Sequence, residues 1–76
     1  MIKINRLAEV LIENDKRNKD LVDLFEVSES TVSRWVHNKQ QPDVHKLYKI
    51  AEFLKIDIRD LFHPTVWPQE DTKGSK

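Results

Sequence analysis

The chain contains no cysteine, which excludes a disulfide scaffold, a Cys-ligated zinc finger and a thiol nucleophile. It has one glycine and three prolines in 76 residues, a composition that suits helices far better than strands and hairpins. No apolar run exceeds a few residues, far short of the ~20 that span a bilayer. The segment Met1-Ile2-Lys3-Ile4-Asn5-Arg6 lacks the apolar core of a secretory signal, so the expected location is the cytoplasm. Net charge is also missing, because thirteen basic and thirteen acidic residues cancel. Nucleic-acid binders usually carry a basic excess. A function of that kind must rest here on where the charges sit, not on their sum.

A chain this short buries only about 60% of its unfolded surface. That leaves no room for a deep catalytic cavity, and the core has to come from apolar packing, with dimerisation as a further source. What is present is helical periodicity. Ile4, Leu7, Ala8 and Leu11 fall at i, i+3, i+4 and i+7 and predict an amphipathic first helix. Glu13 to Arg17 reads as its end and a short connection. Leu21, Val22, Leu24 and Phe25 predict a brief second helix starting near Asn18. Ser28 suits the N-cap of a third, because its hydroxyl can accept a free N–H of the first turn, and Glu29 suits the positive helix end. Val32, Trp35 and Val36 form the inward face of that helix, over about 29–37.

Asn38 to Pro42 is a polar loop, where Pro42 keeps Gln41 out of a helix. Asp43 can cap a fourth helix with a buried stripe of Val44, Leu47, Tyr48, Ala51 and Leu54. Asp57 can cap a short fifth one burying Ile58, Leu61 and Phe62. The expected fold is all-α, a bundle of about five short helices over 1–63, followed by a flexible tail over 64–76.

Two short helices joined by a three- or four-residue turn make a helix-turn-helix, whose second helix can enter the major groove of DNA. Residues 18–37 fit that pattern. Leu21, Val22 and Phe25 would pack on Val32 and Trp35, leaving the start of the third helix projecting outward. From Ser28 to Gln41, Arg34 and Lys39 face one acid, Glu29, with His37 available to protonate. Arg17 and Lys19 sit at the entry of the second helix, beside the same face. Glu9, Glu13, Glu52, Asp57 and Asp60 belong to the first, fourth and fifth helices. The surface is therefore expected to be bipolar.

Asn18 to Trp35, then Asn38-Lys39-Gln40-Gln41-Pro42 and Leu47, Ile50, Ala51, Leu54 and Leu61, resemble the phage repressor and Cro-like (XRE-type) helix-turn-helix domain. The resemblance covers roughly residues 4–62 and is most specific over Val27 to Trp35. It implies a sequence-specific double-stranded DNA-binding regulator of bacterial or phage origin, repressor-like or an antitoxin-type autoregulator, acting as a homodimer on an inverted repeat. By position in the motif, Glu29, Ser30, Ser33 and Arg34 would read bases. Arg17, Asn18, Lys19, Ser28, Thr31, His37, Asn38, Lys39 and Gln40 would hold the DNA backbone. Departures are visible: the family usually has glutamine at Asn18, alanine at Val22, and glycine at Glu26 and at Lys55. A left-handed glutamate costs about 1 kcal/mol more than glycine.

Plainer readings apply to several residues. The spacing of Trp35 from Val32 makes it core, not a base-stacking platform. Tyr48 reads as core or interface. His37, His45 and His63 have no ligand-like spacing, so no metal or other cofactor is implied. Asp57 and Asp60 are explained by helix capping. Lys46, Lys49 and Lys55 read as a solvated face, and no small-molecule effector is implied. No nucleophile, phosphate loop or cleft points to an enzyme. The competing function is a protein-interaction module on the same helical fold, favoured by the zero net charge and by Glu29 at the front of the third helix.

Overall fold

Three side-chain caps start three of the helical segments. Ser28 Oγ accepts the Thr31 N–H at 3.1 Å, Asp43 Oδ1 the Lys46 N–H at 2.9 Å, and Asp57 Oδ1 the Arg59 N–H at 2.8 Å. Each satisfies an N–H that the helix geometry leaves free. The computed structural model describes residues 2–68, in the order α1 (Leu7–Glu13), α2 (Asn18–Phe25), α3 (Glu29–Val36), α4 (Val44–Leu54) and a 3-10 turn (Ile58–Leu61). Among the described residues, the one extended pairing is an isolated antiparallel bridge between Asn5 and Phe62. Pro64 to Pro68 are exposed and irregular. Residues 69–76 of the expected tail lie outside the described residues.

The core draws on every element. Leu7, Val10 and Leu11 of α1 meet Leu21 of α2, Val32 and Trp35 of α3, Leu47, Ile50, Ala51 and Leu54 of α4, and Leu61. Val22, Phe25, Val27, Ile56 and Ile58 pack around them, half-buried.

The first and fourth helices differ from their expected faces. Ile4 is outside α1 because residues 4–6 are pulled into an extended segment. His63 N donates to Ile4 O at 2.9 Å and Arg6 N to Leu61 O at 2.7 Å. Ala8 is exposed and Val10 takes the inward position. On α4 the buried stripe is Leu47, Ile50, Ala51 and Leu54, while Val44 (71% exposed) and Tyr48 (66%) face outward. Tyr48 is therefore not core. Phe62, expected to be buried, is also exposed, because its backbone joins the terminal bridge while Leu61 turns inward.

No helix among the described residues is long and apolar enough to cross a membrane.

Candidate nucleic-acid interface

Glu26, Val27 and Ser28 join α2 to α3. Glu26 takes the left-handed conformation, φ 54° and ψ 47°. That reverses the chain within one residue and lets the Val27 N–H return to Val22 O at 3.3 Å. The angle between the helices is then fixed by packing. The Phe25 and Trp35 rings meet edge to face, 5.7 Å apart and 83° inclined. Trp35 is 3% exposed, so it belongs to the core and offers no face to a base.

With Val32 and Trp35 turned inward, the opposite side of α3 is free. Glu29, Ser30 and Arg34 are exposed and Ser33 is half-buried. Their i, i+1, i+4, i+5 spacing places them along one face. Arg17, Asn18 and Lys19 are exposed at the start of α2, where the Asp20 carboxylate accepts the Arg17 N–H at 2.8 Å. After α3, His37, Lys39 and Gln40 are exposed. His37 Nδ1 lies 2.8 Å from Ser33 O, a contact that needs the ring nitrogen as donor. Among the described residues, Arg34 forms no ion pair with Glu29 or any other acid. Its Nε donates to Gln40 Oε1 at 3.0 Å and its Nη2 to Thr31 Oγ1 at 3.3 Å.

Asn38 departs from the role the sequence suggested. Its side chain turns inward to the fold, not outward to a DNA backbone. Asn38 Oδ1 accepts the N–H groups of Ile4 and Asn5, both at 2.8 Å, and Nε2 of Gln41 at 3.1 Å. Its Nδ2 donates to Asn5 O at 3.0 Å. Asn5, 1% exposed, completes the network. Its Nδ2 donates to Trp35 O at 2.9 Å and Gln41 Oε1 at 2.7 Å, and its Oδ1 accepts the Leu7 N–H at 3.0 Å. A buried amide is tolerated when its donors and acceptors are matched in this way. The network fixes the end of α3 against the N-terminal segment.

That attachment brings in a cation the sequence reading missed. Lys3 lines a shallow concavity with Ala8, Val36, His37 and Lys39, beside the end of α3. Lys3 is distant in sequence from the helix-turn-helix. The bonds of Ile4 and Asn5 to Trp35, Asn38 and Gln41, invisible to any local pattern, carry it there.

Residues 6–65 match the Cro/C1-type helix-turn-helix DNA-binding domain. The chain belongs to that family. The Cro/C1-type assignment agrees with the all-α architecture and with a turn between Phe25 and Glu29. A Bacteroides fragilis protein of solved structure, described as DNA-binding, is similar: 40% identical, TM-score 0.76, over 82% of this chain and 100% of that one. A transcriptional regulator from Listeria innocua shares the fold at 22% identity, TM-score 0.67, over 90% of this chain and 68% of that one. No curated protein matches the chain.

Proposed function

We propose that this Cro/C1-type domain binds double-stranded DNA sequence-specifically and acts as a repressor-like transcription regulator, with α3 in the major groove. The observation that carries this reading is the outward face of α3. Glu29, Ser30, Ser33 and Arg34 share one side of a helix whose other side is locked into the core. A groove about 12 Å wide admits one helix and displays a distinct donor and acceptor pattern for each base pair. Arg34 has the chemistry to bridge a guanine, Ser30 and Ser33 to contact bases or phosphates, and Glu29 to accept from a cytosine amino group. Arg17, Asn18, Lys19, Ser28, Thr31, His37, Lys39 and Gln40 flank that face and are assigned to the phosphate backbone, which sets register.

Few phosphates can be neutralised by so small a set of cations, so a single copy binds weakly and a homodimer on an inverted repeat supplies the useful affinity. The folded unit over 1–63 reads DNA, and the segment from 64 onward, with Val66 and Trp67, contributes to the dimer surface.

Substitution separates the two kinds of contact. Arg34→Ala abolishes preference at one base position, a loss of about 1–3 kcal/mol in discrimination. Lys39→Ala weakens all duplexes alike and makes the salt dependence shallower. Equal, sequence-independent losses for both would contradict Arg34 as a base reader. Glu29 and the zero net charge favour a second reading, a protein-interaction module, which predicts no enriched duplex at all.

A further inference from the structure

A continuous chain of hydrogen bonds crosses the outward face of α3 and enters the loop behind it. Ser30 Oγ and Ser28 Oγ lie 3.0 Å apart, and Ser28 Oγ and Thr31 Oγ1 2.9 Å apart. From there, Arg34 Nη2 donates to Thr31 Oγ1 at 3.3 Å, and Arg34 Nε donates to Gln40 Oε1 at 3.0 Å. The loop is set by the same residue, since Lys39 N and Gln40 N both donate to Arg34 O, at 2.9 and 3.2 Å. Gln40 thus returns beside the arginine whose side chain it holds. Ser28, Ser30, Arg34 and Gln40 are exposed and Thr31 is half-buried, so no fully buried polar group calls for this chain of bonds.

A guanidinium carries five N–H donors in a planar fork with two usable edges. Gln40 and Thr31 take the Nε/Nη2 edge. Among the described residues Nη1 has no hydrogen-bond partner, so the end-on edge can still be offered by Nη1 with the second Nη2 hydrogen. We propose that Gln40, seconded by Thr31, is a positioning residue that presets Arg34 so that it offers guanine only its end-on edge. The proposal rests on Arg34 reading a base, as above, and moves Gln40 from backbone holding to specificity. A free arginine loses much rotamer freedom when it docks. One already held in place loses less, and a fixed edge discriminates between base edges better than a mobile one.

The test compares wild type, Gln40→Ala and Gln40→Glu on the best duplex enriched from a random pool and on its single-base variants. Gln40→Ala lowers the guanine preference at one position per half-site about tenfold, leaving other positions and the salt slope unchanged. In Gln40→Glu the carboxylate still accepts from Arg34 Nε, so that preference survives, although repulsion from phosphate lowers affinity for every duplex. In an Arg34→Ala background, Gln40→Ala changes nothing further at that position.

A uniform loss in Gln40→Ala with a shallower salt slope would make Gln40 a phosphate holder and overturn the proposal. An unchanged guanine preference would overturn it too. The Arg34 Nε–Hε NMR resonance of the free protein gives a readout without DNA: slowed exchange in wild type, lost in Gln40→Ala, is the expected result. Fast exchange in wild type would overturn the positioning role while leaving the DNA-binding reading intact. A held Hε with no enriched duplex would overturn both.

Discussion

Four residues carry the backbone into the left-handed region, and none of them is glycine: Asp15 at φ 59°, Glu26 at 54°, Asn38 at 60° and Lys55 at 58°. Each follows one of the four helices and lets the next N–H reach back. Lys16 N bonds Leu11 O, Lys39 N bonds Arg34 O and Ile56 N bonds Ala51 O, at 2.7, 2.9 and 3.0 Å. Val27 and Ile56 then tuck against the core, the apolar contact that commonly accompanies this ending. Asp and Asn accept the conformation more readily than Glu and Lys. Lys55→Gly is therefore expected to stabilise by about 0.5–1 kcal/mol, a rise of a few degrees in Tm. An unchanged or lower Tm would show that Lys55 is not strained. Family resemblance pointed to Glu26 and Lys55 because glycine is usual there, whereas nothing local marked Asp15 or Asn38.

Asn5 was equally hidden. One asparagine in Lys3-Ile4-Asn5-Arg6 looks like surface, and its burial follows from partners more than thirty residues away. Asn5→Ala removes the amide and takes away the partner of the buried Leu7 N–H and of Gln41 Oε1, while the Trp35 carbonyl keeps the Asn38 N–H. Leaving such groups buried and unpaired costs about 1–3 kcal/mol, so a loss of that size in denaturant unfolding is expected. A neutral result would mean that water replaces the amide.

At the scale of the elements, capping residues were the most legible signal. Ser28, Asp43 and Asp57 each precede the segment they were expected to start. The phase of an amphipathic helix was less legible. Apolar residues of α4 cover more than half its circumference, so Val44 and Tyr48 could join the stripe as well as Ile50. The choice falls to what packs against the helix, which spacing alone does not contain.

Capping also predicts an acid limb. The Lys46 backbone N–H, followed by the Lys46 side chain, holds the Asp43 carboxyl below its ordinary value. For Asp57 the Arg59 side chain leads and its backbone N–H follows. A carboxyl whose pKa is lower folded than unfolded contributes stability above its unfolded value. That contribution is lost as pH falls through the folded one. The window opens below about pH 4. Asn caps about as well as Asp, so Asp43→Asn keeps α4 and removes this residue's share of the pH dependence. A thermal-stability profile from pH 6 to 2 that stays parallel to wild type would contradict the assignment.

Over the whole molecule, cations and acids are mixed, and Asp23, Glu26 and Glu29 are exposed within the helix-turn-helix itself. Arg17, Lys19, Arg34 and Lys39 are exposed on and beside the helix-turn-helix, while Glu13 is paired with Arg6 at 3.1 Å on the far elements. The cations are few, so the logarithmic salt slope of a dimer should be no steeper than about −10. Exposed apolar side chains occur where residues 4–6 pair with residues 61–63. Phe62 belongs to the bridge, Ile4 precedes its partner Asn5, and Val66 (93% exposed) and Trp67 (76%) follow in sequence. Apolar surface of this kind on a small domain suits association with a second copy. Deleting 64–76 is accordingly expected to lower the mass in solution from dimer to monomer, and an unchanged dimer would remove that segment from the interface.

Sequence reading by α3 is tested by selection of bound duplexes from a random pool at near-physiological salt, using the intact chain. The expected result is enrichment of an inverted repeat, with half-site centres about one helical turn or a multiple of it apart and one guanine position sensitive to Arg34→Ala. A pool that stays unenriched, with only weak salt-sensitive binding, would contradict sequence reading by α3.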